Sequence, residues 1–517
     1  MVERADAVII GGGLGGLAAG VTLAGQGRRT VILEQNSAPG GYATSFQRGP
    51  YRFDVALHAL NGLAPGGGAD AMYRALGIAD RLRLHRLDPL YVLRGGGPGI
   101  IGHADAFQYE SQLLRIFPEQ TEGIRAYLDE ALAIYRDTRR LEVDMAAGRT
   151  PAAPGDMARH YPAMARASSE TWEQMMLRHV GGQKTRAALA ALWSYTGLPP
   201  SRCSAVVAAI LTSSYQEHGG WYPEGGAHSV SSALAEVFGE RDGEIRCGEL
   251  VNGFEFSDGQ ATAVTTCEGQ RVEADVFISN ASAPTTLLDL VGRERLPSDY
   301  VERVEQPKPS YTLFTVYLGL GRDLFGEQGL PHELFIDPSY DPEEAWRAAQ
   351  RGDWARTSIL LTDYTRVDPG CAPEGHGVVV LTAIAPWDYQ DTWGTGGDTA
   401  DYHRLPRYLA LKEQVADALV ARADVEVPGL RDAIVHQEAS TPLTNFHYTR
   451  NPGGAIEGYE NSPANSGVGW LPQDTPVRNI FLAGAWTNGG GMNPAMGSGI
   501  AAAARAVALL ESQTATG

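Results

Sequence analysis

A chain of 517 residues, 43% hydrophobic and 20% charged, has the composition of an ordinary globular protein and is too long for one core, so two or three lobes are expected. Its 42 basic residues face 61 acidic ones, a net charge of −19, which disfavours nucleic acid as a partner and electrostatic docking on an anionic membrane. The four cysteines, Cys203, Cys247, Cys267 and Cys371, make no C-x-x-C pair and no metal spacing; they read as reduced structural thiols of a cytoplasmic protein without a bound metal.

Ala7 to Ile10 is apolar and β-branched at Val8 and Ile9, a short buried strand stopped by glycine. Gly11, Gly13 and Gly16 then fall on G-x-G-x-x-G, with Leu14 and Gly15 inside the motif. The first glycine permits a tight turn, the second lets backbone approach a pyrophosphate, and the third lets a helix pack on the strand. Leu17 to Gly25 is small and apolar, a helix whose N-terminus favours a diphosphate. A second strand, Thr30 to Leu33, ends at Glu34, with Gln35 after it; the acid stands at about the 20-residue spacing expected for a carboxylate on a ribose hydroxyl. The apolar stretch could imitate a membrane span, but its six glycines between Gly11 and Gly20 and the motif register argue for a soluble fold. No charged segment with a small-residue cleavage site precedes it, so no signal peptide is expected.

Pro39-Gly40-Gly41-Tyr42-Ala43-Thr44 follows, and the paired glycines are placed to touch the same cofactor. A nicotinamide-binding unit has no reason for a second glycine cluster here, whereas proteins that hold FAD along the chain do. With Phe53-Asp54-Val55-Ala56-Leu57-His58, the segment resembles the phytoene desaturase-like flavoproteins: carotenoid desaturases, carotenoid cis-trans isomerases and retinol saturases. The resemblance implies FAD, a Rossmann-type domain of the glutathione reductase and amine oxidase kind, and an inserted α+β substrate domain with a helical lobe. Leu57 and His58 would lie at the flavin, His58 matching the histidine of saturase-type members as a proton shuttle or substrate anchor. A core histidine with one backbone hydrogen bond is the alternative.

From Gly66 to about Gly220, apolar residues at three- and four-residue spacings predict helices over 111–117, 121–139 and 169–180, with a Pro/Gly/Ala-rich break at 148–155. This stretch reads as a lid or substrate lobe, or equally as a plain helical cap. Gly219-Gly-Trp-Tyr-Pro-Glu-Gly-Gly226 matches a family hallmark leading back to the FAD domain, followed by a helix over 229–239. Strands are predicted over 250–256, 261–266 and 272–280. Val251 resembles the residue whose backbone meets adenine, and Asn280-Ala281 the turn near the phosphates. Strands over 311–320, 357–361 and 377–384 alternate with helices over 341–350 and 408–422, and Asp368-Pro-Gly-Cys-Ala-Pro-Glu-Gly375 resembles another family turn.

A last strand over 479–483 ends at Gly484-Ala485, followed by Gly491-Met492-Asn493-Pro494-Ala495-Met496 and an alanine-rich helix. Asn493 before Pro494 reads as its N-cap. In related flavoproteins this glycine loop and helix start, here Gly491, Met492, Asn493 and Met496, meet the pyrimidine side of the flavin, and the resemblance places Gly484 and Ala485 at the cofactor as well. The family commonly has an acid where Ala485 stands, so that contact must come from backbone or elsewhere.

The expected FAD-binding domain is 1–65, 215–295 and 470–517, with 66–214 and 296–469 forming the substrate domain. The expected function is FAD-dependent desaturation of C–C bonds in an elongated apolar polyene, isoprenoid or polyketide-type substrate. Oxygen, a quinone or another acceptor would take the electrons, and membrane contact would be peripheral at most. A polyene cis-trans isomerase or saturase uses the same geometry. An amine oxidase, which would be expected to carry the acid missing at Ala485, and a non-catalytic lipid-binding escort protein, which would usually have lost the cofactor glycines, are the readings from other classes.

Overall fold

The computed structural model describes residues 3–146, 149 and 154–514; most of the break expected at 148–155 lies outside them. Two seven-stranded sheets organise the chain. In the first, Glu3–Ile10 runs parallel to Thr30–Glu34 on one side and Arg271–Ser279 on the other, with Ile9 opposite both Ile32 and Ile278. Glu244–Cys247 extends it parallel to Thr30–Glu34, and Ile480–Leu482 joins parallel to Arg271–Ser279. The hairpin Val251–Ser257 and Gln260–Thr266 completes it. The C-terminal runs of the central strands, Ala7–Ile10, Val31–Leu33 and Val276–Ile278, are apolar and buried because both faces are covered. Helix Leu14–Gly25 lies between Met492–Thr514 and Ala227–Glu240. Close packing here needs glycine: a Cβ at Gly499 would run into the Gly15 carbonyl, and one at Gly16 into the Gly11 carbonyl.

The second sheet runs Ile434–Ser440, Thr312–Leu320, Gly377–Ala385, Ile359–Asp363, Glu333–Asp337, Tyr91–Gly95, Ile100–Gly102. It is antiparallel except where Glu333–Asp337 meets Tyr91–Gly95. Period-two alternation splits its side chains. Phe314, Val316, Leu318, Leu334, Leu361 and Leu381 enter a core under helix Pro406–Glu426. Leu313, Tyr317, Glu333, Leu360, Thr362, Thr382 and Ile384 take the opposite parity and share the other face.

The helical stretch after residue 66 contains Ala106–Ile116, the long Thr121–Ala146, Trp172–Leu177 and Ala205–His218. It also contains strands that periodicity did not indicate. Leu84–Leu87 pairs with Gly220–Pro223, and Tyr91–Gly95 extends the second sheet. These runs are too short to register as strands alone, and their partners are remote in the chain. Glu333–Asp337 and Ile434–Ser440 were likewise not anticipated. Among the described residues no helix is long and apolar enough to cross a membrane.

Two buried acids lock the family-like segments together. Asp54 accepts from Ala227 N at 2.6 Å and Tyr222 O–H at 3.0 Å, tying the residues before His58 to the start of the 227–240 helix. Asp368 accepts from Arg52 at 2.6 Å and Gly225 N at 2.8 Å, so the strand Tyr51–Asp54 and two sequence-distant turns meet at one carboxylate.

Candidate cofactor and active site

A cavity of roughly 2030 Å³ runs from the glycine loop, past His58, to the helical lobe. At its nucleotide end Glu34 Oε2 accepts from Gly12 N at 2.7 Å and Oε1 from Asn36 N at 2.8 Å. Oε1 also accepts from Asn36 Nδ2 at 2.9 Å, which leaves Oε2 with a lone pair for a further donor such as a ribose hydroxyl. Gly40 N donates to Gly12 O at 2.8 Å, joining the two glycine clusters directly. Gln35 is held by Tyr448 O and Arg450 at its edge of the site, and Val251 stands on the same wall.

The phosphate region contains Asn280. A Cβ at Gly13 would stand 2.7 Å from Asn280 Nδ2, and one at Gly484 would stand 2.5 Å from its Oδ1. The glycines therefore admit this amide as well as a cofactor. Among the described residues no protein group bonds to the amide, which leaves it for a ligand. Gly484 N is already engaged by Ser498 Oγ at 2.6 Å, and Ala485 brings no charge. The cradle, Glu34 and the free amide fit an FAD diphosphate and ribose, with Asn280 the polar side chain where the family acid is missing.

Most of the anticipated residues lie on this cavity: Gly11, Gly13, Leu14 and Gly15; Gly40, Gly41, Tyr42 and Ala43; Leu57 and His58; Ala281, Gly491, Met492 and Asn493. Three do not. Gly16 lies beneath the loop against the Gly11 carbonyl, Thr44 serves the backbone by accepting from Val55 N, and Met496 is wholly buried. Asn493 does not cap the last helix. The helix begins at Met492, after the positive φ of Gly491, and Asn493 donates instead to Asn61 O at 3.0 Å. Pro494 is tolerated because first-turn N–H groups have no helical partner.

His58 sits in a clamped loop. Tyr364 O–H donates to Leu57 O at 2.7 Å, His332 Nε2 lies 3.0 Å from His58 O, and Tyr215 O–H donates to Ala59 O at 3.1 Å. Three successive carbonyls are thus fixed. The His58 Nδ1 lies 2.8 Å from Thr362 Oγ1 and 3.2 Å from Glu333 Oε1, and Tyr195 O–H donates to Glu333 Oε2 at 2.5 Å. Glu333 and Thr362 meet because they are cross-strand partners on the cavity-side face of the second sheet. Burial pushes the Glu333 carboxyl up to about 8 against the hydrogen bonds of Tyr195 and Thr362. Burial and the neighbouring His332 lower His58 to about 3. Despite the short contact, the pair is therefore neutral at pH 7, a hydrogen bond and not an ion pair.

Tyr195, Tyr311 and Glu457 also line the cavity and were not anticipated. Asn461 donates to Glu457 at 3.0 Å, and burial pushes this carboxyl up to about 7. The acid of Glu333-Leu-Phe-Ile-Asp337, set in an apolar strand, was the one available signal for Glu333; nothing local marked the others.

The flavin containing amine oxidoreductase model matches residues 14–507. The chain belongs to this family. As a flavin containing amine oxidoreductase it is an FAD-dependent enzyme. It is 26% identical to the phytoene desaturase (lycopene-forming) of Pseudescherichia vulneris, over 97% of this chain and 98% of that one. It is 24% identical to prolycopene isomerase 1, chloroplastic, of an Oncidium hybrid cultivar, over 93% and 80%. Among solved structures, cyclohexylamine oxidase from Brevibacterium oxydans IH-35A shares the fold with a TM-score of 0.62 and 18% identity, over 98% of this chain and 99% of that one.

Proposed function

We propose that this enzyme desaturates C–C bonds of an elongated, apolar polyene or isoprenoid-type substrate. The observation that carries the reading is the cavity itself, which continues from the glycine cradle and His58 between apolar side chains of the helical lobe, among them Met72, Leu141, Met164, Val207 and Leu211. Such a tunnel suits a long hydrocarbon with few polar anchors. FAD, when bound, supplies the hydride acceptor. The protein's part is to exclude water, to hold the chain in line along the tunnel, and to handle one proton at His58. The clamped carbonyls of 57–59 fix that imidazole, so its position costs no reorganisation when substrate arrives.

The names of the similar desaturase and isomerase support a polyene, and the second reading is redox-neutral cis-trans isomerisation in the same cavity. The fold shared with cyclohexylamine oxidase brings in C–N oxidation, which Ala485 disfavours. The net charge of −19 supports action in the cytoplasm, with peripheral membrane contact at most. The experiment is the visible spectrum of the purified protein, followed anaerobically while polyenes and their dihydro forms are added. Bleaching by the more saturated partner, with desaturated product, supports the proposal. Isomerised product appearing only after chemical pre-reduction would replace it with isomerisation, and peroxide release from simple amines would replace it with amine oxidation.

A further inference from the structure

Glu333 joins two side chains that reach the cavity from different elements. Its Oε1 faces His58 Nδ1 at 3.2 Å and its Oε2 accepts from Tyr195 at 2.5 Å. Thr362 Oγ1 closes the ring, 2.8 Å from Nδ1 and 3.4 Å from Oε1. The carboxyl is fully buried while the imidazole and the phenol line the cavity. Among the described residues no protein group bonds to His58 Nε2, which leaves that nitrogen for the cavity.

The ring admits two proton arrangements. With Glu333 ionised, Oε1 accepts from His58 Nδ1–H and Nε2 is bare, a hydrogen-bond acceptor. With Glu333 protonated on Oε1, the acid donates to Nδ1, the imidazole carries its proton on Nε2, and the cavity meets a donor. The two differ by one proton, arriving at Nε2 while the Nδ1 proton crosses to Oε1. The imidazole is neutral at both ends of that exchange, and the proton is stored on the buried acid.

We propose that Glu333 is a positioning residue that sets which tautomer His58 presents to the substrate and stores the proton His58 collects. The proposal rests on the reading that His58 meets the reacting part of the substrate, but the tautomer exchange can be observed without turnover. The groups facing the pair are Tyr195 and Tyr215 from the helical lobe, Tyr364 beyond strand Ile359–Asp363, and His332 beside Glu333. Burial raises all three phenols well above their ordinary range and lowers His332, so the carboxyl with its imidazole is the couple that exchanges near neutral pH.

The test is long-range ¹H–¹⁵N spectroscopy of the FAD-loaded protein with ¹⁵N-labelled histidine, the His58 signals assigned by their loss in H58Q. From pH 6 to pH 9 the wild type should pass from the Nε2–H to the Nδ1–H tautomer, with a midpoint near the carboxyl's pKa of about 8. E333Q should hold one tautomer throughout, whereas T362V, which keeps the acid, should still switch. With a turned-over substrate, E333Q should lose the alkaline limb of the kcat profile while KM changes less than twofold. A wild-type His58 that keeps one tautomer over this range overturns the proposal, as does an E333Q that switches like wild type. If E333Q does not fold, the wild-type titration alone decides. A clear switch in a protein that turns over no polyene would leave the positioning role standing and remove the substrate reading.

Discussion

The Asn280 amide lies against Gly13, its Nδ2 2.7 Å from the point where a Cβ on that glycine would stand. Gly13→Val would therefore displace the amide before it met any cofactor. We expect this variant to fold but to lose FAD, seen as loss of the flavin bands after gel filtration. Stoichiometric flavin in Gly13→Val would show that the loop does not approach the diphosphate.

Asn280→Ala tests the amide itself. A hydrogen bond to a charged group contributes roughly 1.5–3 kcal/mol, so the Kd of the apoprotein for FAD should rise about tenfold or more by the same principle. An unchanged Kd in a fluorescence titration would mean that backbone alone replaces the acid missing at Ala485.

His58→Ala should retain FAD, because the nucleotide end of the cavity is untouched, and should lower kcat by roughly 10²-fold or more, the range for a lost acid–base group. Unchanged turnover with the best polyene would reduce His58 to a wall residue.

Asp54 is expected to be structural. It serves Tyr222, Ala227 N and Leu57 N in a buried site, and Asp54→Ala would strand these donors at about 1–3 kcal/mol each in the worst case. Denaturant melts should show a loss of roughly 2–4 kcal/mol. A loss below about 0.5 kcal/mol would show that water replaces the carboxylate freely.

Stability should fall as pH rises through neutrality. Burial raises the folded carboxyls of Asp54 to about 6, Asp363 to about 7 and Glu333 to about 8. The native state therefore binds protons that the unfolded chain has released, and the contribution is fully present below the unfolded carboxyl range and lost as pH climbs through these values. Lowered histidines such as His58 act oppositely, but only below their unfolded value near pH 6.5. Between pH 6.5 and 8 the wild type should lose its stability advantage over Glu333→Gln, by at most about 1.4 kcal/mol per pH unit. An advantage that grew with pH, in denaturant melts at fixed saturating FAD, would reverse the assignment.

The nucleotide end of the site was legible because it is contiguous. Strand, glycine loop, helix and Glu34 lie within 34 residues, and each step has its own local signature. The catalytic end was not. His58 was found through its neighbours in sequence, but its partners come from the 193–196 turn, strand Glu333–Asp337 and strand Ile359–Asp363. The Glu333–Thr362 contact exists only through antiparallel register, which no window of sequence contains. Asn493 shows the opposite failure: a sound local rule placed it at a cap, whereas the helix starts one residue earlier and the Asn493 amide bonds to Asn61, a partner remote in sequence.

The parallel sheet draws its strands from both ends and the middle of the chain, with Ile480–Leu482 the last to enter. Helix Met492–Thr514 then covers Leu14–Gly25. The first glycine loop is therefore not complete until Ile480–Leu482 and Met492–Thr514 have docked. Cofactor capture by the Gly11–Gly16 loop thus reports that these segments, remote from it in sequence, have docked.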